Sequence, residues 1–148
     1  MKRILAILSV GFTMGLWGCG GGGGAPDTNP PTIVNVQVEP TKLTRFTGGE
    51  VTISAQVSDP SGVAIVWAEV QKPNGAMEKV TMSLTGNVYQ GTIKAGANTP
   101  NDGQDETYKV WVRAKDAKGN ETPEPGEPPG GISFTVPALI PPPERPDL

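Results

Sequence analysis

Histidine is absent from this sequence of 148 residues, and cysteine occurs once, as Cys19. Without histidine the chain lacks the commonest general base, the commonest zinc ligand and the usual partner of a catalytic serine. Cys19 has no second cysteine to pair with, so it is a nucleophile, a metal ligand or an anchor, and its position must decide between them. The remaining candidates are carboxylates near prospective turns: Asp59, Asp102, Asp105, Glu106, Asp116 and Glu121. Two carboxylates at a set separation in a cleft would serve acid–base catalysis. Several converging oxygens would hold calcium. No G-x-S-x-G, Walker loop or metalloprotease motif accompanies them. No enzyme activity and no cofactor are therefore expected.

The segment around Cys19 identifies its role. Met1-Lys2-Arg3 is positively charged, Ile4 to Met14 is apolar, and the run ends in Leu16-Trp17-Gly18-Cys19. The apolar stretch is too short for the roughly 20 helical residues that cross a bilayer. These residues resemble a bacterial lipoprotein signal: Leu16, Gly18 and Cys19 fit the lipobox, while Trp17 stands where a smaller side chain is usual. The resemblance implies that residues 1–18 are removed and that Cys19 becomes the acylated, palmitate-bearing N-terminus. Two or three acyl chains, at roughly 0.8 kcal/mol per buried methylene, would hold the protein on a membrane. Gly20 rather than Asp after the cysteine implies the outer membrane in a diderm host. Residues 19–31, with glycine at positions 20–24 followed by Pro26, Pro30 and Pro31, read as a flexible tether reaching on the order of 20 Å.

The formal charge is −3, and loss of Lys2 and Arg3 with the signal takes it to −5. Mild acidity without clustered Lys or Arg excludes a nucleic-acid partner.

From Thr32 onward the apolar residues recur with period two between turn signals. Val34, Val36 and Val38 alternate with polar residues, a short segment covers Leu43–Phe46, and Val51, Ile53, Ala55 and Val57 alternate again. Asp59-Pro60-Ser61-Gly62, Pro73-Asn74-Gly75 and Gly86-Asn87 are turn signals. They separate strands over Val63–Gln71, Val80–Leu84 and Val88–Ile93. Tyr108, Val110, Val112 and Ala114 lead to the turn at Asp116–Asn120, and Ile132, Phe134 and Val136 form the last strand. No stretch has helical period with caps. The chain reads as all-β, about seven antiparallel strands over residues 32–136, with a proline-rich tail over 137–148 that reads as disordered.

The phrases Val57–Val63 (VSDPSGV) and Tyr108–Thr122 (YKVWVRAKDAKGNET), with this strand spacing, resemble bacterial immunoglobulin-like or fibronectin-type-III-like domains. The resemblance implies one β-sandwich, here without the cysteine pair of antibody domains, and it leaves function open. In that fold Asp59 and Asp116 end strands that approach one pole. They are weak calcium candidates, with turn formation as the plainer role. The neighbouring strands 63–71 and 108–114 would present Ile65, Trp67 and Glu69 beside Lys109, Trp111 and Arg113 on an outer face. Setting Trp67 opposite Trp111 puts Glu69 opposite Lys109. Such a pair is either a cross-strand brace worth about 0.2–1 kcal/mol or a surface for an unknown protein or glycan. The expected protein is thus a lipid-anchored envelope module for adhesion, assembly or recognition. The alternatives are a carbohydrate-binding accessory module and a structural spacer without a ligand.

Overall fold

The structure is a computed structural model that describes residues 26–99, 103–123 and 131–138. Cys19, the signal and the tail beyond residue 138 lie outside the described residues, as does Asp102. Seven strands follow one another: β1 (Thr32–Glu39), β2 (Gly49–Ser58), β3 (Val63–Gln71), β4 (Met77–Thr85), β5 (Val88–Ala95), β6 (Glu106–Asp116) and β7 (Ile132–Val136). Their spatial order is β1-β2-β5-β4-β3-β6-β7. All neighbouring strand pairs are antiparallel. β4 pairs with β3 along most of its length and turns to β5 through Ser83–Thr85, joining the two halves of the sandwich. After β1 the chain crosses to β7, where Leu43 N–H donates to Thr135 O and Thr135 N–H donates to Thr41 O. That contact nearly closes the sheet and covers part of its edge.

The core follows the period-two pattern. Val51, Ile53 and Ala55 from β2 meet Val66, Ala68 and Val70 from β3, Val110 and Ala114 from β6, and Phe134 and Val136 from β7, all fully buried. Tyr108 stacks on Phe134 with ring centroids 4.7 Å apart. Aliphatic packing between the sheets stands where antibody domains place a disulfide.

Three elements differ from the sequence pattern. In β1 the inward residues are Ile33, Val36 and Val38, while Val34 is 48% exposed. The spacing from Ile33 to Val36 is odd, so one residue must be absorbed. The register shifts between Val34 and Gln37, and Asn35 adopts φ +53°. This is a β-bulge, and asparagine tolerates that left-handed conformation better than most residues. Leu84 leaves the core at 58% exposure, where β4 swings over to β5. Leu43–Phe46 forms no strand. It is a loop held by single bridges, with Gly48 N–H donating to Thr44 O.

Candidate functional site

The outer face of β3, β4 and β6 carries the expected tryptophan constellation, but in another register. Trp67 lies opposite Arg113, Glu69 opposite Trp111, and Gln71 opposite Lys109. The expected pairing of Trp67 with Trp111 and of Glu69 with Lys109 is therefore corrected by two residues. A slip of two keeps every side chain on its face, so the hydrophobic pattern is blind to it. The observed register lets Arg113 lie over the Trp67 ring, 5.4 Å from its centroid, while Lys79 of β4 sits 4.0 Å from the same ring. Arg113 pairs with Glu69 at 3.2 Å and with Glu121 at 2.9 Å, and donates to Thr122 O. The Trp67 indole N–H donates to Glu69 Oε1.

Trp67 is consequently only 4% exposed although it faces outward. Trp111 is half-buried, and its Nε1 has no hydrogen-bond partner among the described residues. Lys109 is exposed and stands apart from this network, between Gln71 and Ser133. The five candidates do share a face. Three of them, Trp67, Glu69 and Arg113, form a packed cation–aromatic brace with Lys79 rather than an open platform.

Asp59 and Asp116 do meet, at the pole where the chain enters β1. Asp59 Oδ1 accepts from the N–H and hydroxyl of Ser61, and the Ser61 hydroxyl also reaches Asp116 Oδ2 at 3.2 Å. Asp116 is 2% exposed. Its Oδ1 accepts from the N–H groups of Lys118 and Asn120, and its Oδ2 from the Asn120 amide. Burial pushes this carboxyl up, but donors from Asn120, Lys118 and Gly119 outweigh it and hold the group below the usual carboxylate value. Both residues thus do form their turns. Asp27, from the expected tether, joins them: its carbonyl accepts from the Asn120 amide, and Pro31 beside it is buried. Among the described residues, packing therefore starts as early as Asp27, ahead of the first period-two residue. The sequence signal for this was an acidic residue within a proline-rich run, which reads equally well as linker.

A third feature had no sequence signal. Across β1, β2 and β5 the outer face forms an open trough of about 1060 Å³, lined by Asn35, Gln37, Thr52, Ser54, Gln56 and Gln90 among others. The bulge at Asn35 helps to build it, since the Asn35 amide donates to Gln56 Oε1 at 2.7 Å. Most of the lining is amide or hydroxyl, and Glu39 at one end is its charged member.

No protein-family model matches the chain, and no curated protein matches it. Among solved structures, a protein of a family of unknown function (DUF4785) from Legionella pneumophila aligns at 14% identity and a TM-score of 0.46, over 73% of this chain and 29% of that one. The sialic acid binding region of a Streptococcus sanguinis adhesin aligns at 21% identity and 0.46, over 76% and 31%. An alkylpurine DNA glycosylase from Pseudomonas fluorescens aligns at 13% and 0.41, over 73% and 30%. The chain spans about three tenths of each of these proteins. Similarity this low speaks to neither ligand nor reaction.

Proposed function

We propose that the chain is a lipid-anchored envelope module that works by contact rather than by chemistry, and that its contact surface is the trough over β1, β2 and β5. The observation that carries this reading is the lining itself. Asn35, Gln37, Gln56 and Gln90 present paired donors and acceptors, and Thr52 and Ser54 add hydroxyls that serve as either. A neutral glycan chain, with its rows of hydroxyls, matches such a lining. The trough also lies on paired strands, β1 with β2 and β2 with β5, so less ordering cost falls on the protein than on an unpaired loop when it binds. The tryptophan face supports the assignment indirectly, because Trp67 is already covered by Lys79 and Arg113. The lipobox resemblance around Cys19 supports the anchor.

The test fills the trough without touching the core. Ser54 and Gln90 are paired neighbours on β2 and β5, and S54R with Q90R would occupy the trough from its floor. The double variant is expected to keep the wild-type melting temperature within a few degrees and to lose at least tenfold in retention on isolated envelope polysaccharide. Equal retention of wild type and variant would remove the trough from the function and leave a spacer.

A further inference from the structure

We propose that Asp27, Asp59 and Asp116 form a calcium site that staples the segment preceding β1 to the pole of the sandwich. The carboxylate oxygens that these three residues offer all lie within 4.8 Å of one another. Oxygens sharing one calcium at about 2.3–2.6 Å lie at most about 5 Å apart, so a single ion can touch all three. The donor set holds no nitrogen or sulfur, which selects a hard cation over zinc or copper.

A second observation, independent of the clustering, points to a missing partner. Asp27 Oδ2 is shut off from solvent and has no hydrogen-bond donor among the described residues. The local turn does not account for it, because Oδ1 alone accepts from the Asn29 N–H. An ionised carboxylate oxygen held away from both water and donors is costly unless a cation meets it. No protein cation does so: the ion pairs among the described residues are Lys72 with Glu78, and Arg113 with Glu69 and Glu121. Asp116, buried at 2% exposure, adds a carboxylate that the Lys118 and Asn120 N–H groups hold in place at the pole. Waters and backbone carbonyls would complete the six to eight ligands that calcium takes.

The consequence is mechanical. The three carboxylates come from three separate places: the entry to β1, the β2–β3 turn and the end of β6. An ion among them ties the entering chain to both turns. Without it, one Asn120 contact and buried Pro31 hold that segment. Neither the trough nor the anchor enters this argument, so its failure would leave the proposed function standing.

Thermal unfolding of the full chain in EDTA, in calcium chloride and in magnesium chloride tests the proposal. Wild type is expected to gain about 5–10 °C at tenfold excess over a dissociation constant of about 10⁻⁴–10⁻³ M. D27N is expected to melt in EDTA no lower than wild type, since it removes one of three like charges, and to lose the calcium response. D59N repeats the test from another element should D27N misfold. Calcium should also slow proteolysis around residues 26–31 in wild type alone. No shift with 5 mM calcium, an undiminished shift in D27N and D59N, or an equal response to magnesium would overturn the calcium site.

Discussion

Arg113 shows how one side chain can change the meaning of its neighbours. A tryptophan on the outer face of a sheet invites reading as a binding platform, but Trp67 lies beneath two cations and donates its own N–H to Glu69. Arg113 makes this possible because its planar fork reaches Glu69, Glu121 and Thr122 O while its plane lies over the ring. The Arg113 side chain is 7% exposed, whereas Glu69 and Glu121 keep 22% and 40%, so part of the charge on its partners stays hydrated. Truncation should therefore cost somewhat less than breaking a fully buried pair. R113A is expected to destabilise by about 2–3 kcal/mol, and R113K to recover less than half of that, since an ammonium reaches fewer of these acceptors at once. Urea unfolding followed by tryptophan fluorescence measures both. A loss below 0.5 kcal/mol for R113A would mean that the brace is decoration and would reopen Trp67 as a surface. The five residues were legible in the sequence as sharing a face. Their register was not, because period-two alternation survives any slip of two.

At the scale of the elements, the strands most clearly written in the sequence are those whose apolar residues alternate without interruption: β2 and β6. Each buries the residues its pattern names, except that Val57 and Val112 are half-buried against the core. β1 was harder, because its bulge reverses the parity part-way along and exposes Val34. The Leu43–Phe46 segment misled for a related reason. Its apolar residues read as an edge strand, yet its bonds go to Thr135 of β7 and back to its own turn. Gly48 ends that turn at φ +63°, with the carbonyls of Ala95 and Gly96 lying where a Cβ would project. Gly86, in the β4–β5 hairpin, has nearly the same φ at +65° and open space around it. The two glycines therefore separate backbone strain from steric clash. G86A should cost about 1 kcal/mol, the price of a left-handed L-residue. G48A should cost about 3 kcal/mol, because backbone cannot yield as a side chain does. Chemical denaturation of both variants decides the matter, and equal losses would mean that the β1–β2 loop moves aside freely.

For the whole molecule, the two ends of the sandwich are built differently. The chain enters at the pole carrying Asp27, the Asp59 turn and the Asp116 turn, the pole that would face the membrane under the proposed anchor. Phe46, 77% exposed beneath Arg45, marks the β1–β2 loop at the opposite pole. The trough runs along the flank between them. An anchor at Cys19 would thus present the trough sideways to the membrane, with Asp27 tied to the pole through Asn120. This geometry matters only if Cys19 is acylated, and that is open to direct measurement. Wild type is expected in the membrane fraction, with mass spectrometry of the mature N-terminus showing a diacylglyceryl cysteine. C19A is expected to stay unprocessed or to appear in the soluble fraction with its fold intact, since the core of the described residues is built from β1 to β7. Detergent rather than salt should release wild type, because acyl chains hold through roughly 0.8 kcal/mol per buried methylene and not through charge. Soluble wild type with an unmodified thiol would remove the anchor. The trough would then act in a freely secreted domain, and the Asp27 staple would order the start of the chain instead of orienting it on a surface.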